Sequence, residues 1–172
     1  MLEPETITFP ASDWVPNHPR LPVLIYRQAL SGPSAQFADL LEERFLACGW
    51  QGTWRNGIFP YQHYHTGAHE VLGVAQGHAR VLIGGPNGSV LEVKAGDCLV
   101  LPAGTGHMKL EATGDFLVVG SYPPGQDADI QTEAPDTAQQ HRIDTLPLPK
   151  ADPLFGADGP LVRLWTDGSS PA

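Results

Sequence analysis

The chain has 172 residues, of which 41% are hydrophobic and 17% charged, and its formal net charge is −9. This length and composition suit one globular domain with a single core and exclude a disordered or coiled-coil protein. The acidic balance argues against nucleic acid or an anionic membrane surface as a partner.

The N-terminal region combines a proline-rich start with a strand and a helix. Residues 1–22 are irregular because proline lacks an amide donor and restricts the residue before it. A short strand is predicted over 21–27. A helix is predicted over about 35–48, with Ser34 as its N-cap and Gly49 as its stop. We expect this helix to pack against the outside of a sheet.

From residue 50 to 123 the pattern changes to short strands rich in β-branched and bulky apolar residues, separated by turns. The segment Gly84-Gly-Pro-Asn-Gly88 predicts a hairpin, in which Asn-Gly would supply two positions with positive φ. Several short strands at close spacing predict an all-β sandwich or small barrel. The predicted strands cover 71–74, 79–83, 89–93, 98–101 and 116–121.

The last part of the chain is predicted to be less regular. Residues 124–150 are polar, and we interpret them as a long excursion over the surface. Apolar residues return in the run 161–165, which is predicted to pack on the domain or on a second subunit. We therefore predict one domain over 1–172, with a barrel core of about 50–123, a strand and helix over 21–49 and an extension over 124–172.

Compartment is predicted from cysteine usage and from the N-terminus. Cys48 and Cys98 show no pairing pattern, which favours reduced thiols in a cytoplasmic protein. The N-terminus lacks a basic region followed by an apolar run and does not resemble a signal peptide. No apolar stretch approaches the length of a membrane span.

Three histidines and one glutamate carry the main functional signal. Side chains alternate along a strand, so His63 and His65 project to the same face. Glu70 begins the next strand, and His107 begins a later one. If these faces line one barrel, the four side chains converge. Together they can hold one divalent metal ion (Fe, Mn, Ni, Co or Zn) with coordination positions left open.

The spacing of these residues follows two known patterns. The first segment fits G-x5-H-x-H-x4-E-x6-G from Gly57 to Gly77, and the second fits G-x5-P-x-G-x2-H from Gly96 to His107. These are the signature motifs of the cupin superfamily, which the chain resembles. Glu111 stands where the second motif ends in Asn.

The resemblance covers nearly the whole chain and extends to the YjlB-like cupins. It implies an all-β, cupin-type double-stranded β-helix, or jelly-roll barrel, with a metal site and a homodimeric assembly. It does not supply a reaction, because that group has no assigned activity. The segments that carry it are 16–22, 54–65, 69–73, 101–107, 118–126 and 152–159.

The alternative to Glu70 as a ligand is His69. Adjacent strand residues face opposite sides, and the spacing to Gly77 selects Glu70. Three further histidines have no partner in spacing and are predicted at surface or turn positions: His18, His78 and His141.

Residues on the same faces as the ligands are candidates for catalysis. Lys109 and Glu111 share a predicted face with His107, and Tyr61 shares one with His63. We predict these three as acid, base or substrate-contact residues. Weaker candidates, whose direction the sequence does not fix, are Tyr122, Arg55 and Trp54.

Two functions are compatible with this pattern. The first is a small metal-dependent enzyme of oxygenase, isomerase or lyase type that acts on a polar small molecule. The alternative is a non-catalytic binding or sensing protein, in which the metal orients a ligand or stabilises the barrel. The apolar run that ends at Trp165 is a possible dimer contact.

Overall fold

The structure is a computed structural model that describes residues 1–166. Within these residues nine strands form two antiparallel sheets of six and three strands. The strands are β1 (Glu5–Ile7), β2 (Val23–Tyr26), β3 (Gln51–Asn56), β4 (Glu70–Gln76), β5 (His78–Ile83), β6 (Ser89–Lys94), β7 (Cys98–Leu101), β8 (His107–Ala112) and β9 (Leu117–Tyr122). The larger sheet has the order β1-β2-β7-β4-β9-β3, and the smaller has the order β6-β5-β8. The predicted all-β, cupin-type jelly roll is confirmed.

The central strands of the six-stranded sheet are buried on both faces. Along β4, Leu72 and Val74 point into an apolar layer that also contains Val81 and Ile83 of the smaller sheet. Val71 and Ala75 point the other way. This alternation is the expected period of two, applied to a strand with a core on each side. β2 lies inside this sheet, between β1 and β7, so the sheet extends beyond the predicted barrel core of 50–123.

Helix α1 (Phe37–Ala47) covers the second face of the larger sheet, as predicted. It sits close to β4, since a Cβ built on Gly73 would lie 2.8 Å from the Leu41 side chain. Ser34 is not the N-cap. It begins a short 3-10 turn, and Gln36 stands at the N-cap without a side-chain hydrogen bond.

Two edge strands and one helix differ from the sequence expectation. β1 lies in the proline-rich start, and β3 is polar and mostly exposed, so neither has the apolar alternation of a central strand. The polar segment 124–150 contains α2 (Thr137–Thr145) and is not only a surface excursion. The capping box formed by Asp136 and Gln139 is the signal for this helix.

The β5–β6 hairpin forms where it was predicted, but its backbone differs. The positive φ angles belong to Gly84 (94°) and Gly85 (84°), and Asn87 has none. The turn closes through a hydrogen bond from the Gly88 amide to the Gly85 carbonyl at 2.9 Å. Two consecutive glycines, rather than Asn-Gly, therefore occupy the positions with positive φ, which glycine adopts without steric cost.

The C-terminal run packs on its own chain. Helix α3 (Pro160–Leu164) buries Leu161, and Trp165 is 2% exposed, with its Nε1 donating to the Pro22 carbonyl. Trp165 is therefore a core residue of its own chain. Val162 of the same run is 38% exposed, and the dimer contact of this run stays a prediction. Residues 167–172 of the predicted extension lie outside the described residues. None of the helices described in residues 1–166 is long and apolar enough to cross a membrane.

Asp152 fastens this run to the sheet. Its carboxylate is fully buried and accepts hydrogen bonds from the backbone amides of Leu154 (2.8 Å), Phe155 (3.1 Å) and Leu161 (3.1 Å). The Tyr26 hydroxyl donates a fourth. Burial and this hydrogen bond raise the pKa of Tyr26. A buried carboxylate is tolerated because nearby donors satisfy it.

We expect Asp152→Ala to lower the free energy of unfolding by about 3 kcal/mol, because four donors lose a charged acceptor in a buried place. Urea denaturation followed by circular dichroism measures this loss. Asp158→Ala is the matched control, since Asp158 lies in the same segment and is exposed. Equal losses in the two variants would contradict a role for the buried carboxylate.

Candidate metal centre

Three histidines converge at one end of the space between the sheets. His63 pairs with His107 across an isolated antiparallel bridge, with backbone hydrogen bonds of 3.0 and 3.3 Å. His65 follows two residues later, and its carbonyl accepts from the Gly104 amide at 2.7 Å. One ring nitrogen from each histidine lies within 4.8 Å of the others, and all three residues are buried. The predicted strand through His63 and His65 is thus a short bridge, but the two side chains do share a side.

Backbone carbonyls fix the tautomer of each ring. His63 Nδ1 lies 3.0 Å from the Tyr61 carbonyl, and His107 Nδ1 lies 2.9 Å from the Thr105 carbonyl. His65 Nδ1 is hydrogen-bonded to the Asp129 carbonyl. Because a carbonyl only accepts, each Nδ1 carries the proton. Each Nε2 is then the nitrogen available as a ligand or base.

Glu70 completes the group. Its Oε2 lies 2.8 Å from His65 Nε2 and 3.5 Å from His107 Nε2, and the residue is 3% exposed. Burial opposes the negative charge, but His65 and His107 outweigh it and lower the pKa of Glu70. Burial likewise opposes the charge on His65, and Glu70 outweighs it and raises the pKa of His65. At 2.8 Å the lone pair of His65 Nε2 and the Glu70 carboxylate must share a cation. That cation is either a proton on His65 or a metal ion.

His63 has the opposite electrostatic environment. Burial and the neighbouring His107 lower its pKa from 6.5 to about 3. The imidazole is therefore neutral at ordinary pH, which is the form that binds a metal. The donor set of three imidazoles and one carboxylate fits a divalent transition ion.

His69 points away from this group, as alternation predicted. Its Nδ1 accepts a hydrogen bond from the Ala103 amide at 2.9 Å, and its ring centroid lies 5.0 Å from that of Trp165. Burial lowers its pKa to about 3. The prediction of surface or turn positions for the other histidines holds for two of the three. His78 and His141 are exposed, but His18 is buried and lies outside the assigned turns.

A cavity of about 450 Å³ opens beside the cluster. Tyr122, on β9, lines it, and the Tyr122 hydroxyl accepts a hydrogen bond from Trp54 Nε1 at 2.8 Å. Burial and the nearby Glu70 raise the pKa of Tyr122 to about 12. The hydroxyl is therefore protonated at neutral pH. The sequence made Tyr122 a weak candidate because nothing in the spacing shows which way β9 faces.

The three predicted catalytic side chains are not all in this cavity. Lys109 lines it, and its amide donates to the Phe59 carbonyl at 2.9 Å. Tyr61 stacks on Phe59 at a centroid distance of 5.0 Å and is 42% exposed. It stands at the rim, with its ring centroid 5.5 Å from that of His63.

Glu111 lies outside the site, so its predicted face is wrong. Lys109 pairs in register with Val81 of the antiparallel strand β5. Glu111 pairs with Arg80, the residue directly adjacent to Val81, so two steps along β8 correspond to one step along β5. Leu110 is therefore an extra residue in a β-bulge, which reverses the alternation beyond it. Glu111 consequently faces outward and forms an exposed ion pair with Arg80 at 3.0 Å. Arg55 is also outside, paired with Asp39 and Glu42 of α1.

Asp129 is the supporting residue that sequence reasoning missed. Its carboxylate accepts from the Thr66 amide (2.7 Å), the Thr66 hydroxyl (2.6 Å) and the Gly67 amide (2.9 Å). The backbone carbonyl of Asp129 accepts the hydrogen bond from His65 Nδ1. The segment around Asp129 packs closely against the turn after His65, since a Cβ built on Gly67 would lie 2.4 Å from the Asp127 carbonyl oxygen. No spacing in the sequence links this segment to the histidines.

Comparison with known sequences identifies the family. The sequence model of the Cupin family matches residues 54–135, which contain the whole cluster. A curated relative is aligned over 95% of the chain. The chain belongs to the cupin family. That relative is the uncharacterized protein YjlB of Bacillus subtilis (strain 168), which is 37% identical over 165 residues and is covered to 97% of its length.

Solved structures are similar at a lower level. Acireductone dioxygenase from Bacillus anthracis, with a cadmium ion in its active centre, has a TM-score of 0.38 and 18% identity, covering 54% of this chain and 62% of that one. A DUF861 family protein from Thermotoga maritima has a TM-score of 0.36 and 17% identity, covering 58% and 98%. Procruciferin, an 11S globulin from Brassica napus, has a TM-score of 0.39 and 26% identity, covering 66% and 28%. These similarities do not bear on the activity of this chain.

The hydrogen bonds to Asp129 predict a pH-dependent contribution to stability. Burial opposes its charge, but donors on Thr66, Gln131 and Gly67 outweigh it and lower its pKa from 3.8 to about 2. A carboxyl group whose pKa is lower in the folded state stabilises the fold above 3.8, and this stabilisation is lost as the pH falls towards 2.

Asp129→Asn should therefore lower the free energy of unfolding by about 1 kcal/mol at neutral pH. The difference from the wild type should shrink as the pH falls below 3.8. Urea denaturation at a series of pH values measures it. Asp127→Asn, at a nearby exposed carboxylate, is the control and should match the wild type. A deficit that did not change with pH would argue against the charge on Asp129.

Proposed function

We propose that this cupin is a metal-dependent enzyme acting on a polar small molecule, with His63, His65, Glu70 and His107 as ligands of one divalent metal ion. One observation carries the proposal. Three Nδ1–H groups are held by backbone carbonyls, which leaves the three Nε2 atoms as the ligand nitrogens, and the buried Glu70 carboxylate lies 2.8 Å from His65 Nε2. Such fixation of the outer nitrogen is typical of histidines that bind metals.

A metal ion bound here would bind substrate oxygens and stabilise negative charge that develops on them. The side chains of the chain have separate tasks. Glu70 balances the positive charge of the cluster in a buried place. Tyr122 holds a proton beside Glu70 and can donate a hydrogen bond to a substrate oxygen. Lys109 contacts the substrate from β8. Oxygenase, isomerase and lyase reactions are all compatible with this set of groups.

The alternative from the sequence is a protein that binds or senses a ligand without turnover. A closed coordination shell, or a dry apolar pocket without titratable groups, would support that alternative. The cavity is instead lined by two polar side chains, Lys109 and Tyr122, and the Tyr122 hydroxyl keeps its proton at neutral pH. Their presence beside the histidines supports the enzyme.

His63→Ala should reduce the metal content of protein purified without added metal by at least tenfold, because one of three imidazole ligands is lost. Inductively coupled plasma mass spectrometry measures the metal per chain. His78→Ala is the control, since His78 is exposed at the start of β5. Equal metal content in His63→Ala and the wild type would show that the ion lies elsewhere.

The same preparations separate the two functions. Oxygen consumption and substrate loss are assayed with small polar acids and sugars, using metal-loaded protein and the His63→Ala variant. Turnover that requires His63 supports the enzyme. Binding without turnover supports the alternative. A protein that neither contains nor takes up a metal ion would rule out both.

We also propose a cytoplasmic homodimer. The family resemblance supports the dimer, and two free cysteines, Cys48 and the buried Cys98, support a reducing compartment. Light scattering on the purified protein should return twice the chain mass of 18.5 kDa. A value equal to one chain would contradict the dimer.

A further inference from the structure

The cavity beside the histidines has a largely apolar wall. Ile58 and Leu72 contribute at depth, and Phe59 and Ile130 lie near its mouth. Phe59 is 44% exposed and Ile130 is 49% exposed. Large apolar side chains left open around a concave site are typical of ligand pockets that bind the body of a molecule by burial. A ligand that was polar all round would leave this wall unused.

The same cavity contains one cation. Among its described lining residues, Lys109 is the only lysine or arginine. Its side chain lies on the inner face of β8, in register with the buried Val81. Its backbone amide is bonded to the Phe59 carbonyl, so the stem of the lysine begins beside the apolar wall.

Nothing in residues 1–166 neutralises this ammonium group. The ion pairs of the described residues include none to Lys109. Several exposed cations also have none, but Lys109 is the one that lines this cavity. Glu70, the carboxylate of the cavity, is held by His65 and His107. Covering Lys109 with a neutral apolar ligand would desolvate an unpaired charge, which is costly.

Building on the proposed function, we propose that the substrate is a small carboxylic acid with an apolar, aromatic or branched aliphatic body. Its carboxylate pairs with Lys109, and its body lies on Phe59 and Ile130. A single lysine suits a monoanionic carboxylate, because phosphate sites usually combine several donors. This chemistry narrows the polar small molecule to an amphipathic acid and makes Lys109 a substrate-binding residue.

Binding of a matched set of probes tests the substrate class. Phenylacetate carries both features, phenylacetamide lacks the charge, and acetate lacks the apolar body. Titration calorimetry with metal-loaded protein should give an affinity for phenylacetate about tenfold or more above that for either of the other two. Equal affinity for phenylacetate and phenylacetamide, or no binding of phenylacetate, would overturn the proposal.

Variants test which residue binds each part of phenylacetate, its carboxylate and its apolar body. Lys109→Gln should weaken phenylacetate about tenfold and leave phenylacetamide unchanged. Ile130→Ser should weaken phenylacetate about fivefold and leave acetate unchanged. The controls are Lys150→Gln and Val90→Ser, which change an exposed lysine and an exposed valine outside the cavity. Lys109→Gln binding phenylacetate as the wild type does would also overturn the proposal.

Metal analysis of the same samples keeps this proposal separate from the proposed function. A full metal content with no preference for phenylacetate would contradict only the substrate class. A Lys109-dependent preference in a protein that cannot be loaded with metal would support the acid-binding cavity and contradict the metal-dependent enzyme.

Discussion

Hydrogen bonds from three imidazole Nδ1 atoms to three backbone carbonyls determine what this site can do. Two of the carbonyls, from Tyr61 and Thr105, lie two residues before the histidine they bind. The third comes from Asp129, far along the chain. The first two are local consequences of the His63–His107 bridge. The third requires the segment after β9 to fold back over the site, so the site needs more than the two sheets.

That segment is attached through Asp129 and through a close approach at Gly67. The Asp129 carboxylate satisfies amides that the turn after His65 leaves without backbone partners. A side chain at position 67 would collide with the Asp127 carbonyl. The turn can therefore pack against the segment only with glycine at that position. Residues outside the predicted barrel core thus hold a histidine of the central cluster in place, and they also bring Ile130 to the mouth of the cavity.

Local rules explain which parts of this structure could be predicted from the sequence. The alternation of side chains in extended chain correctly placed Glu70 and His69 on opposite sides, since His69 directly precedes the first residue of β4. The same rule failed for Glu111, since one extra residue at Leu110 reverses the faces and no sequence feature marks that bulge. Helix α2 carried a readable capping box, whereas the contact between Asp129 and His65 joins distant segments and has no local signature. The direction of Tyr122 depends in the same way on how β9 pairs with its neighbours.

Charge links the cluster to the cavity above it. One buried carboxylate faces His65, whose Nδ1 proton is already committed to a carbonyl, so a cation must lie between His65 Nε2 and Glu70. A proton and a metal ion would compete for that place. That cation already pairs with the Glu70 carboxylate, so Glu70 does not neutralise Lys109. The apolar residues of the cavity wall carry no charge that could pair with Lys109. Lys109 has no ion-pair partner among residues 1–166, so the proposed amphipathic carboxylic acid would supply a negative group beside it while covering the apolar wall.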